Sequence, residues 1–187
     1  MVGKLTNFKV DIIDLYRANY QERFHIRYMA QLIGVSHVTL LPHLKELEDD
    51  KILIAKQVGR NKEFVLNSEN ILTKDMIIIS EKNKLMDYVS KNNKFVQFYD
   101  LLSKENLLST VVLFEDKGKH KLICVGNENL NETESLKKLL KECQLIIDVD
   151  FVSVETFSNK NISKDRILLN NSDLFVNILW RIYCESK

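Results

Sequence analysis

Apolar positions between Phe24 and Asn67 pass from helical spacing to alternation. Ile26, Met29, Ala30 and Ile33 recur at helical spacing and predict a short helix with one apolar face. Gly34 can take the left-handed conformation that ends a helix, and Ser36 is placed to cap the next one. On that second helix Leu40, Leu44 and Leu47 form the buried stripe, while Ser36, His37, Thr39 and His43 face away from it. The runs ILIAKQV and KEFVLN then alternate around Gly59-Arg60-Asn61, which predicts a hairpin with a basic tip. Upstream, Phe8, Ile12, Ile13, Leu15 and Tyr16 predict a helix from about Leu5 to Ala18 that packs behind the pair.

From Ser68 to Asn106 the chain holds no Gly or Pro, and apolar residues return every three to four positions. Met76, Ile77, Leu85, Met86, Tyr88, Val89, Phe95, Phe98, Tyr99 and Leu101 are its candidate buried residues, with a break at Lys91-Asn92-Asn93. After that the rhythm alters. STVVLF and KLICVG read as strands separated by a turn containing Gly118. NETESLKKLLKEC reads as a helix with Leu136, Leu139 and Leu140 inward and Asn131 or Thr133 as cap. In the next strand Ile147, Val149 and Phe151 alternate with Asp148, Asp150 and Val152. Ser172 to Tyr183 closes the chain as a helix bearing Leu174, Phe175, Ile178, Leu179 and Ile182. The expected class is α+β, with domains at residues 1–67 and 107–187 joined by a helical connector at 68–106.

Composition narrows the functions. A net charge of +1 supplies no global attraction to nucleic acid, so any affinity must come from local patches. No apolar run is long enough to span a bilayer, and the first residues lack the apolar core of a signal peptide. Cys124, Cys143 and Cys184 are odd in number and widely spaced, which reads as three reduced thiols in a cytoplasmic protein. Neither they nor the four histidines give a zinc-ligand spacing, and no metal or other cofactor is expected.

On HIRYMAQLIGVS, Thr39 with LKELE, and VGRNKEFVLN, the chain resembles the winged helix-turn-helix domains of prokaryotic, especially archaeal, transcription regulators. The resemblance implies a double-stranded DNA partner. The second helix would lie in the major groove with Ser36, His37, Thr39 and His43 near base edges and phosphates. Lys45, Lys56, Arg60 and Lys62 would sit on phosphates. Three features oppose it. Pro42 removes the N–H that would bond the Val38 carbonyl and is expected to kink the helix. Leu41 and Pro42 stand where many relatives carry polar residues, and Glu46, Glu48, Asp49 and Asp50 make the helix end acidic. A winged-helix protein-interaction module is the alternative.

The last third resembles the minimal nucleotidyltransferase fold through VVLF, IDVDFVSVETF and SDLFVNILW. Activity in that family needs a Gly-Ser turn after the first strand and a pair of carboxylates on the next, to hold phosphates and magnesium. Here Glu115 and Asp116 follow Phe114, Lys119 and Lys121 occupy the place of the carboxylate pair, and Asp148 and Asp150 remain as a one-sided set or a solvated strand face. The resemblance therefore implies a catalytically inactive domain, for sensing or assembly, rather than an enzyme. An active nucleotidyltransferase is a further alternative. The whole reads as a DNA-binding regulator, as a homodimer, with an unidentified effector or protein partner and no membrane association.

Overall fold

The computed structural model describes residues 7–116, 119–126, 130–158 and 165–185. The chain is a mixed α+β protein that divides into two compact units. One holds the chain up to Ser80 together with the segment from Trp180 onward, and the other is Glu81–Leu179. The expected starting residue Leu5 and the expected turn residue Gly118 lie outside the described residues.

In the first unit α1 (Asn7–Asp14) is followed by turns at 15–18, so the first helix is shorter than its apolar pattern suggested. A two-residue strand β1 (Phe24–His25) runs directly into α2 (Ile26–Ile33), and the His25 ring accepts the Tyr28 N–H at 3.2 Å. Gly34 closes α2 at φ +81°, returning its N–H to the Ala30 carbonyl. Two residues later Ser36 caps α3 (His37–Asp49), which continues through Pro42 without a break. A proline early in a helix gives up one internal bond, and the buried Leu40, Leu44 and Leu47 on either side hold the remaining turns to the core. Strands β2 (Leu53–Val58) and β3 (Asn61–Leu66) form an antiparallel hairpin, with β1 on the far side of β3. Asn61 belongs to β3, so the turn is the two residues Gly59-Arg60. Gly59 sits at φ +60°, the conformation a type II′ turn requires at its first position.

Alternation along the hairpin separates its faces. Leu53, Phe64 and Leu66 are buried on the inner face, as are Ile12, Ile13, Met29 and the leucines of α3, while Ile54, Lys56, Glu63 and Val65 lie on the outer face. Tyr16 is fully buried, donates to the Phe64 carbonyl at 2.9 Å and meets Phe24 edge-on at 5.0 Å. Asn67 and Asn70 donate to the carbonyls of Lys51 and Asp50 at 2.8–3.0 Å, tying the end of the hairpin to the end of α3.

Helix α4 (Ile71–Lys91) spans the boundary between the units and stops at Asn92; α5 (Asn93–Leu102) follows. In the second unit β4 (Thr110–Asp116) and β5 (Lys119–Val125) are antiparallel, and α6 (Leu130–Glu142) carries the chain to β6 (Asp148–Val152), which pairs parallel to β5. The short α7 (Val154–Ser158), two-residue β7 (Ile167–Leu168) and α8 (Ser172–Trp180) complete it, and the chain leaves α8 through a π-helical turn at Arg181–Glu185. The sheet order is β6-β5-β4-β7. One sheet face buries Leu113, Leu122 and Cys124 against Phe98, Leu136 and Leu140.

Three expectations are corrected. Met86 and Leu174 have the spacing of buried residues but are exposed, because a stripe read from period alone is wider than the face a neighbour covers. Asn131 and Thr133 lie inside α6 rather than at its cap. Glu132 instead serves the chain near that end: its buried carboxylate accepts the Leu108 and Ser109 N–H groups at 2.9 and 3.2 Å, and also the Ser109 hydroxyl.

Candidate nucleic-acid interface

The exposed side of α3 is set by what the buried side must do. With Leu40, Leu44 and Leu47 inward, the helix turns His37, Val38, Thr39, Leu41, Pro42 and Lys45 to solvent. Ser36 and Thr39 are already paired. The Ser36 hydroxyl accepts the Thr39 N–H at 3.2 Å and lies 2.8 Å from the Thr39 hydroxyl. Both hydroxyls remain exposed, and each oxygen has capacity for a further bond. His37 is exposed, whereas His43 is half-buried with its ring 5.2 Å from Phe8 of α1. His43 therefore has a packing role that the sequence did not reveal.

The four basic candidates separate. Lys45 on α3 and Arg60 in the hairpin turn are exposed and, among the described residues, make no ion pair. Lys56 is also exposed, but it projects from the outer sheet face, opposite the face that packs against the helices. Lys62 lies on the inner-face register and reaches α3, where its ammonium meets both Glu48 carboxylate oxygens at 2.8 and 3.0 Å and stands 5.4 Å from the centre of the Phe64 ring. The structure thus leaves Lys45 and Arg60 open, engages Lys62 and turns Lys56 to another side.

The acidic end of α3 is largely accounted for. Lys9 of α1 is buried to 2% exposure, with its ammonium 2.6 Å from Glu46 and 4.0 Å from Asp50. That hydrogen bond, and then the Lys9 charge, hold the Glu46 carboxyl below the usual range. Three of the four acids thereby have cationic partners in the fold. Missed from sequence were Arg23 and Arg27, exposed cations without an ion pair among the described residues. The available signal was their place: Arg27 falls off the apolar stripe of α2, and Arg23 immediately precedes buried Phe24.

In the second unit Asp148 and Asp150 are exposed on edge strand β6. The parallel register puts Lys121 opposite Asp148, and its ammonium is 2.5 Å from the Asp150 carboxylate. Among the described residues no group of three His, Cys, Asp or Glu side chains is placed to hold a metal ion. Cys124 and Cys143 are buried free thiols; burial, helped by the nearby Glu132 charge, pushes the Cys124 thiol up to about 12. Among the described residues no helix is long and apolar enough to cross a membrane. Comparison of the chain with protein-family models, with curated proteins and with solved structures finds no match.

Proposed function

We propose that the first unit is a winged helix-turn-helix that binds duplex DNA, and that the protein is a transcription regulator. One observation carries the reading. Helix α3 and the hairpin turn expose Lys45 and Arg60, with His37 and Thr39, and neither cation has an ion pair among the described residues. A phosphate backbone would supply that partner, and base edges would meet the N-terminal residues of α3. Fluorescence anisotropy at several salt concentrations tests it. Each phosphate contact contributes roughly 0.9 to the slope of log K against log salt, so the Lys45→Ala/Arg60→Ala double variant should flatten that slope by roughly 2 units for all sequences alike. A folded double variant with the wild-type slope refutes the assignment.

The second unit, on this reading, is a nucleotidyltransferase-like domain without transfer activity, used for sensing or assembly. Support comes from Lys121, whose charge occupies Asp150 where a metal-binding carboxylate would have to stay open. Assembly as a homodimer belongs to the same reading, because α4 leaves Ile71 and Met86 exposed. Light scattering that reports one chain per particle, with and without duplex, removes the dimer.

A second reading has its own observation. Val38 and Leu41 are 62% and 51% exposed on the turn of α3 that leads into Pro42, and such apolar surface also suits a protein partner. Absence of binding to any duplex at low salt selects that reading.

A further inference from the structure

The outer face of the first unit's sheet carries a cleft that the DNA reading does not use. The hairpin register places Ile54 of β2 opposite Val65 of β3, and Lys56 one outward position further along β2. Phe24 of β1 faces inward opposite Phe64, so Arg23 before it falls beside Val65 on the outer side. Arg23, Lys56, Ile54, Val65, Glu69 and Tyr183 all line the resulting space of about 360 Å³. That is within the range of pockets that hold small organic molecules, roughly 300–1,000 Å³. Its floor is the two β-branched side chains, and Tyr20 and Tyr183, whose rings lie 5.5 Å apart, also border it.

Charge selects the ligand. Arg23 and Lys56 are exposed and, among the described residues, form no ion pair. Glu69 is the only carboxylate among the lining residues, and Glu63, opposite Lys56 on the same face, stands outside the lining, so two cations and one anion border the cleft itself. A guanidinium presents a planar fork that matches a carboxylate in two-point fashion. Gln21, Asn67 and Ser68 add polar lining, and the apolar part, Ile54 and Val65, suits a small flat or branched hydrocarbon body.

We propose that this cleft binds a small monocarboxylate with an aromatic or branched apolar body, its carboxylate on Arg23 and Lys56 and its body on Ile54 and Val65. The proposal stands independently of DNA binding, and its test contains no DNA, so either can fail alone. The full-length protein is titrated with benzoate while the backbone amide signals of Ile54, Lys56 and Val65 are followed by NMR. Benzamide and phenyl phosphate are titrated in parallel. The expected result is saturable shifts with benzoate, confined to the outer sheet face, and none with benzamide. Arg23→Gln should lower benzoate affinity by about tenfold or more through loss of the charge-assisted fork, with the remaining spectrum unchanged. Phenyl phosphate should bind more weakly than benzoate, because taking a dianion out of water into a cleft floored by apolar side chains costs more than taking a monoanion. No saturable shift with benzoate overturns the proposal. So do equal shifts with benzamide, tighter binding of phenyl phosphate, or benzoate binding indifferent to Arg23→Gln. A second variant, Lys56→Gln, repeats the comparison should Arg23→Gln unfold.

Discussion

Replacing Arg166 by Met should destabilise the second unit far more than any loss of an exposed ion pair. Arg166, just before β7, and Glu81 on α4 are both at 0% side-chain exposure, with nitrogen and oxygen 2.5 Å apart. The guanidinium also lies 5.0 Å from the Phe175 ring centre. Removing it takes away the cation that stands against the buried Glu81 carboxylate and the hydrogen bond between them. Loss of one partner from a buried pair costs about 3–5 kcal/mol, a third or more of the stability of many domains. Lys104 and Asp100 supply the control. Their separation is 2.6 Å, nearly the same, but their side chains are 65% and 62% exposed. Water takes over when such a pair is broken, and the loss is below about 1 kcal/mol.

Urea unfolding followed by circular dichroism measures both. At a slope of roughly 1–3 kcal/mol per molar, Arg166→Met should lower the midpoint by about 1 M or more, and Lys104→Met by a small fraction of that. The Glu81→Leu/Arg166→Met double variant should recover most of the loss, because an apolar pair of similar volume needs no solvation. If Arg166→Met and Lys104→Met cost the same, burial does not set the energetics of this pair and the reasoning fails.

Two further expectations follow from the geometry. Glu48→Gln removes the carboxylate that holds Lys62; on the DNA reading, duplex affinity should rise by up to about fivefold and the salt slope should steepen by roughly 0.9, and an unchanged isotherm would show that Lys62 takes no part. The Cys124 thiol, raised from an ordinary 9 to about 12, stays neutral in the fold while the unfolded chain ionises. Its contribution is therefore whole below pH 9 and is lost as pH climbs toward 12, so Cys124→Ala should flatten the alkaline decline in stability measured by denaturant titration.

What could be read from sequence was what neighbouring residues decide. Leu40, Leu44 and Leu47 repeat at helical spacing, Gly34 and Ser36 sit at a helix end and start, and Gly59 makes its turn, all within a few positions. The two-residue strands β1 and β7 were invisible, since so short a segment has no period to detect. Pairings across the chain were equally hidden. Nothing local marks Lys9 as the partner of Glu46, nor His43 as a ring tilted against Phe8, so charge and polarity along the chain show neither contact. The Lys56 candidate shows the same limit. Its charge was legible, but the face it occupies depends on the pairing register of β2 with β3, which a shift of one residue would reverse.

The acids of α3 show how far geometry alters an electrostatic argument. Counted along the sequence, Glu46, Glu48, Asp49 and Asp50 stand against a phosphate backbone. In the fold Lys9 serves Glu46 and Asp50 while Lys62 serves Glu48, and paired charges project little field beyond about one Debye length, roughly 8–10 Å in physiological salt. Asp49 then opposes Lys45 and Arg60 by itself. Repulsion ceases to decide the question, and what remains is the apolar surface of Val38 and Leu41. In a major groove those side chains would meet thymine methyl groups and carry sequence preference. Against a protein they would form the dry centre of an interface, with Lys45 on its rim. The two settings differ in salt dependence, because only the first releases condensed counterions, and that is why the salt slope, rather than affinity at one condition, separates them.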